Sequence, residues 1–233
     1  MTSSLPLVLV PGLLCSARLF GPQIEALWPL GPVTIAEHKR DDEIGAVAAR
    51  ILAEAPPHFA LAGLSYGGYL AFELMRQAPE RIDRLALLDT SARPDTPEQT
   101  AARYAFAEMA EGGRFAEVVA TLTPRFVQAS RREDPVLKAV LSAMAADVGP
   151  NAFVRQEKAI ISRPDSRPML STIRCPTLVL TGDHDDLTTP DMAREIAGGI
   201  AGATLTIVPD CGHLSTLERP DAVNAALLQW LGG

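Results

Sequence analysis

Short apolar runs alternate with amphipathic helical patterns along most of this chain. Six runs predict buried strands, at residues 7–10, 33–36, 59–64, 85–88, 177–181 and 204–208. Each run is almost entirely apolar, which is typical of strands covered by helices on both faces of a parallel sheet. The alternation therefore predicts an α/β fold, a doubly wound and mainly parallel six-stranded sheet with helices on both faces.

The fourth and fifth predicted strands are separated by a long stretch without strand pattern, residues 91–174. This is far too long for an ordinary connection, so we expect a subdomain there. The expected division is an α/β core at residues 1–90 and 171–233, with a helical cap at 91–170 inserted after the fourth strand.

Two N-cap signals indicate helices within this insertion, Thr96 before Pro97 and Asp134 before Pro135. The apolar spacing predicts the buried face of the first helix, formed by Ala102, Ala105, Phe106 and Met109.

The charge of the chain limits its expected partners, and its cysteine content indicates an expected location. The formal net charge is −7 and the isoelectric point about 5.1, so nucleic acid and anionic membranes are not expected partners. No apolar run approaches the roughly 20 residues of a membrane-spanning helix. Three scattered cysteines do not suggest a disulfide framework, and a reducing, cytoplasmic location is expected. The sequence leaves the oligomeric state open.

The strongest chemical signal is a Gly-x-Ser-x-Gly pentapeptide at residues 63–67, where a predicted strand ends and a helix begins. A sharp turn at this place lifts the hydroxyl of Ser65 clear of the sheet, and the flanking glycines let neighbouring backbones approach. Two rival interpretations of the glycines fail. A phosphate-binding loop needs lysine where Tyr69 stands, and no dinucleotide fingerprint follows any predicted strand. No cofactor is therefore expected.

A serine nucleophile needs a histidine base and an acid that orients it. Of the four histidines, His213 follows the sixth strand at the sheet edge that also carries Ser65. Asp185 is the preferred acid, because a residue two positions beyond Asp183 can fold back over the sheet. Asp183 itself, and Asp89 at the end of the fourth strand, remain alternatives. A single histidine among these carboxylates is a weak metal site, and no metal is expected.

Two backbone amides are candidates to stabilise an oxyanion. One is the N–H of Tyr66, directly after the serine, and the other is the N–H of Leu13, after the turn at Pro11-Gly12.

Together these motifs make the chain resemble the α/β-hydrolase superfamily, in particular its small capped esterases, lactonases and carbon–carbon hydrolases. The resemblance covers nearly all of both core segments and follows the order Ser65, Asp185, His213. It departs from many members in having Pro11 where they have histidine, and the chain begins almost at the family's third strand, so we expect the first two to be lacking.

The resemblance implies that Ser65 is the nucleophile, His213 the base and then the acid, and Asp185 the residue that orients His213. It also implies Leu13 and Tyr66 as oxyanion donors, and a lid over the site. The leading hypothesis is a serine hydrolase that cleaves a small carboxylic ester, thioester or lactone through an acyl-enzyme. The alternatives are a carbon–carbon bond hydrolase with the same triad and a ligand-binding protein without catalysis.

Overall fold

A computed structural model of the protein describes residues 5–232. Residues 1–4 and 233, which belong to the predicted core segments, lie outside the described residues. The strands are β1 (Leu7–Val10), β2 (Val33–Ile35), β3 (Phe59–Leu64), β4 (Ile82–Leu88), β5 (Thr177–Gly182) and β6 (Thr204–Val208). They form one parallel six-stranded sheet in the order β2-β1-β3-β4-β5-β6, which confirms the predicted fold class.

Two details of the strands differ from the sequence prediction. Strand β4 begins at Ile82, three residues earlier than predicted. The prediction began late because the polar Asp83 and Arg84 interrupt the apolar pattern of the strand. Strands β2 and β6 are the edges of the sheet and are only partly buried, whereas the apolar runs predicted cover on both faces. Strands β1, β3 and β5 are buried along their whole length, and β4 is buried from Leu85 onward.

The register brings the carboxyl ends of the central strands to one edge of the sheet. The paired residues at these ends are Val10 with Gly63, Leu64 with Leu88, Leu88 with Leu180, and Gly182 with Val208. Loops that follow these strands therefore meet at the same edge, which is where ligands bind in open α/β sheets.

Helices cover both faces of the sheet, each burying an apolar stripe. Helices α2 (Ile44–Glu54), α3 (Tyr66–Gln77) and α7 (Pro190–Gly199) pack on one face, and α1 (Gly21–Leu27) and α9 (Pro220–Gly232) pack on the other. A short helix α8 (Ser215–Glu218) precedes α9. Among the described residues, no helix is both long and apolar enough to cross a membrane.

Three helices lie between β4 and β5, namely α4 (Pro97–Glu111), α5 (Phe115–Leu122) and α6 (Pro135–Ile161). Both predicted N-caps are present: the Thr96 side chain accepts from the amide of Gln99, and Asp134 accepts from two amides at the start of α6. Helix α6 is broken at Gly149, which has a non-helical φ of 72° and precedes Pro150. Buried residues of all three helices continue the apolar cluster on the α1/α9 side of the sheet. The division into core and cap stays a prediction.

The predicted buried face of α4 is partly wrong. Phe106 and Met109 are half-buried, but Ala102 and Ala105 are exposed, and Ala107 and Ala110 are buried instead. The helix is rotated because Arg103 also faces inward, where it pairs with a buried carboxylate of α6.

Candidate active site

Ser65 occupies a sharp turn between β3 and α3. Its φ of 57° and ψ of −114° lie in a region that non-glycine residues rarely adopt. The turn is held from two sides, since the Ser65 amide donates to the Leu88 carbonyl and the Thr90 hydroxyl donates to the Ser65 carbonyl. The surrounding structure thus maintains a strained serine at the carboxyl edge of the sheet.

The glycines at both ends of the pentapeptide are required by close backbone packing. A Cβ atom added at Gly63 would lie 2.1 Å from the Gly67 carbonyl oxygen, and one at Gly67 would lie 1.9 Å from the Val10 carbonyl oxygen. Real Cβ atoms do not approach backbone so closely. These two positions therefore accept only glycine unless strand and helix move apart.

Ser65, His213 and Asp185 lie in one continuous hydrogen-bonded chain. The Nε2 atom of His213 is 2.8 Å from the Ser65 hydroxyl oxygen, and its Nδ1 atom is 2.8 Å from Oδ2 of Asp185. His213 comes from the loop after β6 and Asp185 from the loop after β5. Both are almost fully buried, at 5% and 2% exposure, so their interaction is little screened by solvent.

Thr188 supports the carboxylate of Asp185. Its hydroxyl donates to Oδ2 of Asp185 at 2.7 Å and also lies 3.2 Å from Nδ1 of His213. The amides of Leu187 and Thr188 both donate to the other carboxylate oxygen, at 2.9 Å. Asp185 is therefore fixed by four donors, counting His213, which stabilises its charged form.

The pKa values of the two groups move apart. Burial tends to raise the pKa of Asp185, but the charge of His213 and the hydrogen bonds it receives leave the pKa below its ordinary value. Burial tends to lower the pKa of His213, but Asp185 raises that pKa above its ordinary value. Asp185 is thus ionised, and His213 is a stronger base than a free imidazole.

The two alternative acids have other partners. Asp183 lies next to His184, and its Oδ1 accepts from the amide of Cys211 at 3.1 Å. Asp89 is fully buried and accepts from the amide of Gly182 and the hydroxyl of Ser215. Burial raises the pKa of Asp89 well above its ordinary range, and the charge of Asp185 adds to the shift. Neither carboxylate hydrogen-bonds His213.

The loop after β1 places Leu13 beside the serine. A Cβ atom on Gly12 would be 3.4 Å from the Ser65 Cβ, so the two chain segments are in contact. The Leu13 amide donates to no acceptor among residues 5–232. The Tyr66 amide belongs to the first turn of α3, where amides have no intrahelical acceptor. Both N–H groups are therefore available at this edge.

Gln156 holds this loop from the insertion. The amide of Leu14, which has a φ of 58°, donates to Oε1 of the fully buried Gln156 at 3.2 Å. Helix α6 thus contacts the loop that presents Leu13.

Two of the cysteines, Cys15 and Cys211, are buried thiols near this edge. Burial raises the pKa of Cys15 to about 12 and raises that of Cys211 as well, so both thiols are protonated at neutral pH. Within residues 5–232, no group of three or more His, Cys, Asp or Glu side chains could hold a metal ion.

A cavity of about 280 Å³ opens over Ser65 and His213. Its walls come from the sheet edge and from the insertion, and they combine apolar side chains such as Phe106, Leu122 and Phe126 with arginine and carboxylate groups. The volume suits a small molecule.

Sequence reasoning missed Thr188, Gln156 and the charged groups of the cavity. Thr188 lies three residues after Asp185 in a loop, where its signal resembles an ordinary turn. Gln156 lies 142 positions from its partner Leu14 in the chain, and no local pattern connects them.

Known proteins match this chain along most of its length. A model of the alpha/beta hydrolase family matches residues 7–226. A curated relative from Mycobacterium tuberculosis, named for a non-heme bromoperoxidase activity, is 29% identical over 173 residues, and the alignment spans 72% of this chain and 66% of that protein, just under two thirds.

Two solved structures are similar in fold and sequence. A thermophilic esterase from Thermogutta terrifontis superposes with a TM-score of 0.89 at 28% identity, covering 98% of this chain and 90% of its own. The enol-lactonase from Burkholderia xenovorans superposes with a TM-score of 0.90 at 26% identity, covering 99% of this chain and 92% of its own.

Proposed function

Because the chain belongs to the alpha/beta hydrolase family, we propose that it is a serine hydrolase that cleaves a small carboxylic ester, thioester or lactone through an acyl-enzyme. The observation that carries the proposal is the chain of hydrogen bonds from Ser65 through His213 to Asp185. Packing alone does not require a half-buried serine hydroxyl, an imidazole and a buried carboxylate to be joined in this order.

In the first step, the hydroxyl oxygen of Ser65 attacks the substrate carbonyl while Nε2 of His213 accepts its proton. The imidazolium that forms is stabilised by the Asp185 carboxylate on Nδ1, which also keeps the ring in the required orientation. Thr188 and the two loop amides hold that carboxylate in place.

The attack converts the carbonyl into a tetrahedral oxyanion. In this proposal the N–H groups of Leu13 and Tyr66 donate to that oxygen, and each such donor contributes about 10²–10³ in rate in comparable sites. Their freedom from other acceptors supports this role.

Collapse of the tetrahedral intermediate expels the alcohol, thiol or ring oxygen, which takes the proton from His213. The acyl group remains on Ser65 as an ester. His213, neutral again, activates a water molecule that hydrolyses this ester and restores the serine.

The relatives favour an ester bond as the target. The similar structures named esterase and enol-lactonase cover nearly the whole chain, and their names span open-chain esters and lactones. The helical insertion acts as a lid in this proposal, because its residues complete the cavity over Ser65.

Hydrolysis of 4-nitrophenyl acetate, followed by the release of nitrophenolate, tests the proposal. We expect Ser65→Ala to reduce turnover to the background rate. Ser91→Ala is the matched control, because Ser91 also lines the cavity but its hydroxyl accepts from the amide of Arg93. Full turnover by a folded Ser65→Ala protein would overturn the proposal, and ligand-induced stabilisation of the wild type without turnover would favour a binding protein.

A further inference from the structure

The cavity over Ser65 carries positive charge in a protein of net negative charge. Four arginines and two carboxylates line it, namely Arg93, Arg103, Arg125, Arg163, Asp95 and Glu157. The chain as a whole has a net charge of −7. Such a local reversal of sign attracts anionic ligands.

Three of these arginines are paired with carboxylates, two of them in one buried cluster. Arg103 binds Asp95 at 2.7 Å and Glu157 at 2.8 Å, and Arg163 binds the other oxygen of Asp95 at 2.7 Å. This buried cluster holds two positive and two negative charges.

Arg93, the third of these arginines, pairs with Glu195 at 2.8 Å.

Arg125 is different. Among residues 5–232 no carboxylate lies within 4.0 Å of its guanidinium, and its side chain is exposed. Because an unpaired guanidinium offers up to five donors in a planar fork, it can bind a carboxylate with two parallel hydrogen bonds.

The position of Arg125 is set relative to the catalytic histidine. It ends a short 3-10 turn, Thr123–Arg125, and the next residue, Phe126, has its ring centroid 6.1 Å from that of His213. The Phe126 carbonyl also accepts from the amide of Leu214 at 2.9 Å. The wall that carries Arg125 is therefore attached to the loop that carries His213.

We propose that Arg125 is a specificity-determining residue that binds an anionic group of the substrate, so that the natural substrate is an ester or lactone bearing a second, free carboxylate. The proposal rests on the proposed function, and it names the substrate class of that site. The apolar side chains of Phe106 and Leu122, which line the same cavity, contact the short carbon chain between the carboxylate and the scissile carbonyl.

Matched esters of glutaric acid test this assignment. The monomethyl ester carries a free carboxylate, and the dimethyl ester is neutral but otherwise nearly the same size. We expect the wild type to have a higher kcat/KM for the monomethyl ester. Arg125→Gln lowers kcat/KM for that ester about tenfold, mainly through KM, and changes the dimethyl ester by less than about twofold.

Two further variants separate local binding from general charge. Arg125→Lys retains the charge and part of the preference. Arg114→Gln removes the same charge from an exposed arginine of the insertion that does not line the cavity, and it leaves both esters unchanged. If the ratio of kcat/KM for the two esters is the same in Arg125→Gln as in the wild type, the assignment is overturned.

Binding of free glutarate, measured by isothermal titration calorimetry, gives a readout that needs no turnover. We expect weaker binding to Arg125→Gln than to the wild type and to Arg114→Gln. Failure of the proposed function shows instead as absent hydrolysis of 4-nitrophenyl acetate, whether or not glutarate binds. Equal glutarate affinity in the wild type and Arg125→Gln would contradict the role of Arg125 independently of catalysis.

Discussion

The sheet edge that holds Ser65 and the helical insertion above it are stabilised by different interactions. At the edge, backbone contacts determine the geometry: strand β1, the turn at Ser65 and helix α3 are so close that Gly63 and Gly67 have no room for a Cβ atom. In the insertion, side-chain pairs such as Arg103 with Glu157 link helices that are distant in sequence. Changes at the edge should therefore abolish the chemistry, whereas changes in the insertion should mainly alter stability and specificity.

The largest expected effect is that of Gly67→Ala. The added methyl group would lie 1.9 Å from the Val10 carbonyl oxygen, so β1 and α3 must separate and the turn at Ser65 must change. We expect hydrolysis to be lost and the free energy of unfolding to fall by about 3 kcal/mol or more.

Gly198→Ala is the matched control for this substitution. Gly198 lies in α7 with no atom within 4 Å of an added Cβ, and alanine there should stabilise the protein by about 0.5–1 kcal/mol. Urea unfolding of both variants measures the difference. A Gly67→Ala protein with normal stability and activity would contradict the account of the turn.

The next largest effect compares the two buried carboxylates of the edge. Asp185→Asn removes the negative charge that faces Nδ1 of His213, and we expect kcat to fall by about 10³–10⁴-fold. Asp89→Asn should reduce kcat far less, because Asp89 hydrogen-bonds Gly182 and Ser215 rather than His213.

The pH dependence of hydrolysis tests whether Asp185 controls the pKa of His213. His213 must be neutral to accept a proton, so kcat/KM of the wild type falls as the pH drops through a pKa above the ordinary value of 6.5. Asp185→Asn removes the group that raises this pKa, and its acid limb should move to lower pH. Profiles of 4-nitrophenyl acetate hydrolysis measure both. An unchanged limb in Asp185→Asn would show that Asp185 does not control His213.

The smallest effect on the chemistry is expected from the insertion. Arg103→Met leaves the buried carboxylate of Glu157 without its partner, which should cost about 3 kcal/mol of unfolding free energy. Activity per folded molecule should fall by less than about tenfold. Lys138→Met, which breaks an exposed pair with Glu133, should cost less than about 1 kcal/mol. Thermal and urea unfolding compare the two, and equal costs would contradict the contrast between buried and exposed pairs.

The strands and the residues that follow them could be predicted from the sequence because their signals are local. Ser65 directly follows one apolar run, Asp185 and His213 lie in the loops after two others, and parallel strands bring such positions to one edge. The sequence favours Asp185 over Asp183 and Asp89 only because a residue two positions beyond the strand end can fold back over the sheet. In the structure, Asp185 is the one of the three that hydrogen-bonds His213. The ester-acting hydrolase class inferred from these motifs is supported by the esterase and enol-lactonase relatives.

The insertion was less predictable because its contacts are distant in sequence. The face of α4 was misassigned where the charged Arg103 turns inward to Glu157, since an apolar pattern does not reveal a buried ion pair. Likewise, nothing near Arg125 in the sequence indicates that it lines the cavity with no carboxylate beside it. Pairing between distant helices decides both features.

Reaction with a fluorophosphonate, followed by peptide mass spectrometry, tests directly whether Ser65 is a nucleophile activated by His213. We expect one adduct, on Ser65, that forms at least about 100-fold more slowly in His213→Ala. Ser91, a serine of the same cavity, should stay unmodified. A folded wild-type protein that leaves Ser65 unmodified, or a His213→Ala protein that reacts at the wild-type rate, would contradict the claim.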